Sequence, residues 1–130
     1  MARLSFRMFC SILYKMEIKR HILKIAGGGK YIFEAIRAGK KKVETRAGTV
    51  KYQKIKTGDF LIFSCDGEKF EKKIKKVKHF SGIKEILKVY KPEEINPRTH
   101  SEKEAKEVYY SFPGYKEKIE QFGLFAFELE

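Results

Sequence analysis

The sequence predicts a small α+β domain: a mostly antiparallel sheet curled toward a barrel, with helices packed at its edges. Three observations carry this. Asp66-Gly67 sits between two long alternating segments, a strong two-residue hairpin signal. Residues 83–122 switch to helical periodicity. The last residues, 124–129, return to alternation and so close a sheet begun much earlier.

In chain order, residues 17–26 are rich in Ile and Leu and read as a strand, with room for a bulge where the alternation slips between Ile22 and Leu23. Gly27-Gly28-Gly29 breaks regular structure beside Lys30. It lacks Walker spacing and a following Ser or Thr, so it reads as a flexible turn whose amides can still help hold an anion. Residues 31–38 form a short helix with Ile32, Phe33 and Ile36 inward and Gly39 as its stop. Residues 41–46 form a strand, Ala47-Gly48-Thr49 a turn, and residues 50–55 continue extended. Thr57-Gly58-Asp59 turns into the apolar strand Phe60–Cys65, and Glu68–Phe80 returns antiparallel. Phe70 and Ile74 share one parity while Val77 has the other, which a bulge near Lys75-Lys76 reconciles.

Ile83, Ile86, Leu87 and Tyr90 then make a helical stripe ended by Lys91-Pro92. Ser101 and Glu104 form a capping box ahead of a second stripe, Ala105, Val108, Tyr109 and Phe112, broken by Pro113-Gly114. Tyr115, Ile119 and Phe122 form a last short helix stopped by Gly123. In the closing strand Phe125, Phe127 and Leu129 alternate with Leu124, Ala126 and Glu128.

At 130 residues the chain suits one domain. Residues 1–15 read as an appendage carrying Arg3 and Arg7, and the domain proper as residues 16–130. The apolar stretch at residues 8–14 is short for a signal peptide and lacks a small-residue cleavage site. No run approaches the roughly 18 apolar residues of a spanning helix, so no membrane is implied. Cys10 and Cys65 are far apart, and His21, His79 and His100 are isolated. A reducing, cytoplasmic setting follows, with neither metal nor cofactor.

The net charge of +12 is lopsided: residues 1–56 carry fifteen Lys and Arg against three acids, residues 81–130 eight against ten. A general lysine bias would raise both halves. Concentrated basicity instead suits one face meeting a polyanion.

That basicity peaks in Gly39-Lys40-Lys41-Lys42-Val43-Glu44-Thr45-Arg46. The pattern Gly39, Lys41, Glu44, Arg46 resembles the signature of the ASCH domain, a member of the PUA-like superfamily. The likeness spans about residues 17–130. It takes in the helix before the motif, Lys56-Thr57-Gly58-Asp59, His79-Phe80-Ser81, Glu107-Val108-Tyr109-Tyr110 and Phe125-Ala126-Phe127-Glu128-Leu129. The resemblance implies a PUA-like barrel whose basic cleft engages RNA, single-stranded or structured, or a modified nucleobase.

On a strand Glu44 and Arg46 share one face, and Lys41 at the junction can lean over the same cleft. The two cations would hold a phosphate while Glu44 accepts from a base amino group or a 2′-hydroxyl. Lys40 and Lys42 flank the trio, Lys30 and Arg37 extend the basic rim, and Tyr110, off the apolar stripe, can stack a base. The competing reading makes Glu44 and Arg46 an ion pair bracing the barrel and leaves Lys40 and Lys42 solvated. Asp59 reads as a turn-fixing residue and Tyr109 as core.

The resemblance also implies an alternative, an enzyme acting on RNA or modified nucleosides. Acetylcytidine amidohydrolases of the superfamily use a Lys and a Thr within this motif and a distant Glu. Lys41 matches the Lys, Glu44 occupies the Thr position, and Ile95-Asn96-Pro97-Arg98 supplies no Glu where one is expected. Ribonuclease activity would need only a base and cations, with Lys41 the catalytic candidate. A third reading is a protein-interaction module with an acidic partner.

Overall fold

Five strands form one mixed sheet in a computed structural model that describes residues 17–130. The expected appendage, residues 1–15, and Cys10 lie outside the described residues. The strands are β1 (Arg20–Lys24), β2 (Val43–Ala47), β3 (Phe60–Cys65), β4 (Glu68–Phe80) and β5 (Leu124–Leu129). Six helices join them: α1 (Lys30–Arg37), α2 (Val50–Gln53), α3 (Ile83–Ile86), α4 (Pro92–Ile95), α5 (Glu102–Ser111) and α6 (Tyr115–Phe122). The Gly27–Gly29 segment is a single 3₁₀ turn leading into α1.

Strand order is β1-β3-β4-β5-β2. β1 runs parallel to β3, and the other three pairings are antiparallel. The sheet is open, with β1 and β2 at its two edges, which corrects the expected barrel. Closure would need a β1–β2 ladder, and three of the outward groups of β2 are already engaged by side chains, as described below.

Local chemistry explains the elements. Asp66 and Gly67 both take positive φ, 48° and 83°, which gives the hairpin turn its twist. The ladder between β4 and β5 shifts register between Ile74 and Lys76, so the bulge that the parity of Val77 requires is present. Gly39, at φ 77°, ends α1 and turns the chain toward β2. No bulge interrupts β1, whose register with β3 is continuous; Leu23 is buried and Ile22 is left exposed. Residues 50–55 are not extended: β2 stops at Ala47 and the chain coils through α2, laying Tyr52 and Ile55 on the core. The stripe from Ile83 to Tyr90 buries as expected, but only its first turn is regular helix. At α5, Ser101 caps the Glu104 N–H at 3.1 Å.

β5 is buried on both faces. Leu124 and Ala126 face a core with Val43, Ala47, Ile86, Ala105 and Tyr109. Phe127 and Leu129 face a second with Leu23, Phe33, Ile36, Leu61 and Phe63. Each fully buried large side chain there contributes about 1.5–3 kcal/mol.

The β1 edge is held by Asp59. Its carboxylate accepts the Lys19 and Lys56 N–H groups, both at 3.1 Å, and lies 2.8 Å from His21 Nε2. Burial opposes the charge, but His21 and the two amides outweigh it and hold the carboxyl below its usual 3.8. The native state thus binds fewer protons here than the unfolded chain. Its stabilisation is complete above the unfolded pKa and is lost as pH falls through the native one. Asp59→Ala should cost about 2 kcal/mol at pH 7. It should also flatten the loss of stability that the wild type shows below about pH 4, as read by urea unfolding at both pH values.

Candidate nucleic-acid interface

Three groups on the outer edge of β2 are covered by side chains. The Lys41 ammonium donates to the Val43 carbonyl. Glu44 turns its carboxylate back along the strand, and Oε1 accepts the Thr45 N–H at 2.9 Å. The Tyr115 hydroxyl accepts the Ala47 N–H at 3.2 Å. Each is a backbone group that a further strand would otherwise claim.

Between this edge and the end of β1 lies a pocket of about 350 Å³. Lys24, Ile25 and Ala26 line one side and Glu44, Thr45 and Arg46 the other, while Asn96, Thr99 and the α5–α6 corner complete it. The corner supplies an aromatic wall. Tyr109 and Tyr115 stack with centroids 6.4 Å apart, and Phe112 meets Tyr115 edge-on at 5.5 Å. Phe112 remains 48% exposed at the mouth. Largely apolar walls with a few convergent polar groups are what a flat heteroaromatic ligand needs, and the volume falls within the usual range of about 300–1,000 Å³.

Glu44 and Arg46 do share a face, with Arg46 Nη2 at 3.4 Å from Glu44 Oε2. Burial pulls the Arg46 guanidinium pKa down, but Glu44, Tyr52 and Tyr115 outweigh it and the net shift is upward, so the cation is permanent. Its guanidinium also lies 5.9 Å over the Tyr52 ring. Tyr109 hydrogen-bonds the Thr45 hydroxyl. Burial pushes its phenol pKa up, so it stays protonated. Asn96 is 5% exposed, its amide held by the Tyr31 hydroxyl at 2.9 Å and the Arg98 N–H at 2.9 Å.

Lys41 stands behind the wall rather than in the pocket. It is 3% exposed, and its ammonium reaches the Glu94 and Ile95 carbonyls as well as that of Val43. Its three N–H donors thus meet three main-chain acceptors, tying the C-terminal end of α4 to the start of β2. Burial drives its pKa down, partly offset by Glu44.

The remaining candidates are dispersed. Lys30 and Lys40 are exposed outside the pocket lining. Lys42 borders a smaller hollow of about 170 Å³ with Tyr90 and Glu128. Arg37 is engaged with Glu34 and with Glu68, the latter at 3.7 Å. Tyr110, 39% exposed, has the Lys116 ammonium 5.8 Å from its ring centre and does not line the pocket. Lys24, Asn96, Thr99 and Lys118 line it and carry no sequence signal of their own, although Asn96 belongs to the stretch 95–98 in which the resemblance leads one to expect a Glu. Among the described residues no cluster of three or more His, Cys, Asp or Glu is placed to hold a metal. Among them, too, no helix is long and apolar enough to cross a membrane.

Residues 30–130 match the family model of the ASCH domain. The crystal structure of hypothetical protein PH0355 is similar at 32% identity and a TM-score of 0.74, covering 87% of this chain and 98% of that one. The solution structure of PF0455 from Pyrococcus furiosus is similar at 27% identity and a TM-score of 0.67, covering 85% and 96%. No curated protein matches the chain.

Lys41→Met keeps the stem but strands three carbonyls. It should lower stability by about 2–3 kcal/mol in urea unfolding, the cost of removing a buried charged donor.

Proposed function

Since the chain belongs to the ASCH domain family, we propose that it is an RNA-binding protein that lodges one unstacked, unmodified or modified nucleobase in the pocket beside β2. The observation that carries this reading is the pocket itself: an aromatic wall beside the Glu44–Arg46 pair, in a chain of net charge +12. A base would stack on Phe112 and Tyr115, and Glu44 Oε2 and the Asn96 amide would meet its polar edge. Arg46, with Lys24 and Lys118 at the rim, would take the flanking phosphates. The exposed Lys30, Lys40 and Lys42 would add long-range attraction without touching the base. RNA metabolism or control of translation, in the cytoplasm, is the setting this activity suits.

Binding is favoured over turnover by the arrangement of the polar groups. Lys41, the candidate base of a ribonuclease or an acetylcytidine amidohydrolase, spends its three N–H donors on carbonyls. The stretch 95–98, where the resemblance leads one to expect a Glu, places only Ile95 and Asn96 in the pocket lining, and neither can accept and return a proton.

With five or six phosphates neutralised, log affinity for single-stranded RNA should fall against log salt with a slope of about −4. Arg46→Ala should weaken binding about tenfold, the loss of one charge-assisted contact. Labelled RNA, the matching DNA and acetylcytidine, each followed for binding and for product, test both readings. A flat salt dependence, or RNA affinity unaltered in Arg46→Ala, overturns the binding site. Product formation that Lys41→Ala abolishes would replace it with an enzyme.

A further inference from the structure

Arg98 has no ion-pair partner among the described residues, yet it is held in place. Its guanidinium carbon lies over the Tyr31 ring, 3.7 Å from the ring centre, closer than any other cation–aromatic pair described. The Tyr31 hydroxyl is fixed by the Asn96 amide at 2.9 Å, and Asn96 Oδ1 accepts the Arg98 N–H at 2.9 Å. Asn96 is buried and lines the base pocket. One side chain therefore joins the pocket to the stacked arginine through two hydrogen bonds. The nearby Glu93 is turned to His100 at 3.4 Å.

We propose that Arg98, stacked on Tyr31 and indexed to the pocket by Asn96, is a second nucleotide subsite that clamps the phosphate next to the lodged base. The inference rests on the pocket reading and extends it from one base to a short single-stranded track. Stacking a guanidinium on a ring leaves its N–H fork free in the ring plane, the geometry that grips a phosphate with two parallel bonds. An arginine already ordered loses less rotational freedom when it does so. An unpaired cation also takes a phosphate without first giving up a carboxylate.

The test uses the full chain and a fluorescein-labelled random-sequence RNA octamer, titrated at several salt concentrations. Arg98→Ala should weaken binding about fivefold and move the slope of log affinity against log salt about 0.7 toward zero, the share of one single-strand phosphate. Arg98→Lys should retain the slope and lose part of the affinity, because charge survives without the fork. Tyr31→Leu should weaken binding as Arg98→Ala does, and the double variant should be no weaker than either single one. The clamp is overturned if Arg98→Ala binds like the wild type. It is equally overturned if that variant binds less tightly with an unchanged slope and a lowered melting temperature, which marks a structural role. In both cases octamer binding by the wild type leaves the pocket reading standing. An octamer that the wild type does not bind overturns the pocket and the clamp together.

Discussion

A strand at the edge of a sheet presents N–H and C=O groups that must find partners, and on β2 they find side chains rather than another strand. Lys41 covers one carbonyl, Glu44 one amide and Tyr115 another. Most of what distinguishes the molecule follows from that substitution. β1, which would complete a barrel, pairs with β3 alone on its described side, and the sheet stays open. The space a closing ladder would have filled is the pocket, walled by the end of β1 on one side and residues 44–46 on the other. An edge covered in this way also resists pairing with other chains. The same three contacts therefore guard the fold and create its concavity.

The charged motif divides its labour by depth. Lys41 is consumed by the backbone and sets where α4, and with it Asn96, stands against β2. Glu44 uses one oxygen on the backbone and presents the other beside Arg46, in the pocket. Arg46 is the motif's cation that lines the pocket, while Lys40 and Lys42 remain at the surface. Selectivity can then come from a few rigid groups in a largely apolar recess, and affinity from the surrounding positive field. Protein–RNA interfaces commonly separate these tasks, since phosphate contacts position a strand without reading it.

Much of this was legible in the chain because local rules and tertiary packing agree. The Asp66-Gly67 turn, the bulge near Lys75-Lys76 and the closing strand at 124–129 all follow from parity and turn chemistry, which few long-range effects override. The pairing of Glu44 with Arg46 followed from strand periodicity. The open sheet did not. Whether β1 meets β2 depends in part on Tyr115 reaching the Ala47 N–H, a long-range contact invisible to periodicity. Lys41 misleads for the same reason: at the head of the strand it reads as leaning over the cleft, and only the approach of α4 draws its ammonium onto main-chain carbonyls. Lys24, Thr99 and Lys118 come to the pocket from separate elements, so no local pattern could have joined them.

Asn96 ties these levels together. Its backbone ends α4, whose carbonyls Lys41 holds, and its side chain forms pocket wall while fixing Tyr31 and Arg98. An amide with both a donor and an acceptor can satisfy these neighbours with no net charge, which a carboxylate at the same place could not do beside buried apolar walls. A Glu there would need a cation or a proton, and would bring acid–base chemistry with it. An Asn brings geometry alone. In this chain the position supplies hydrogen bonds to Tyr31 and to the Arg98 N–H, and no titratable group.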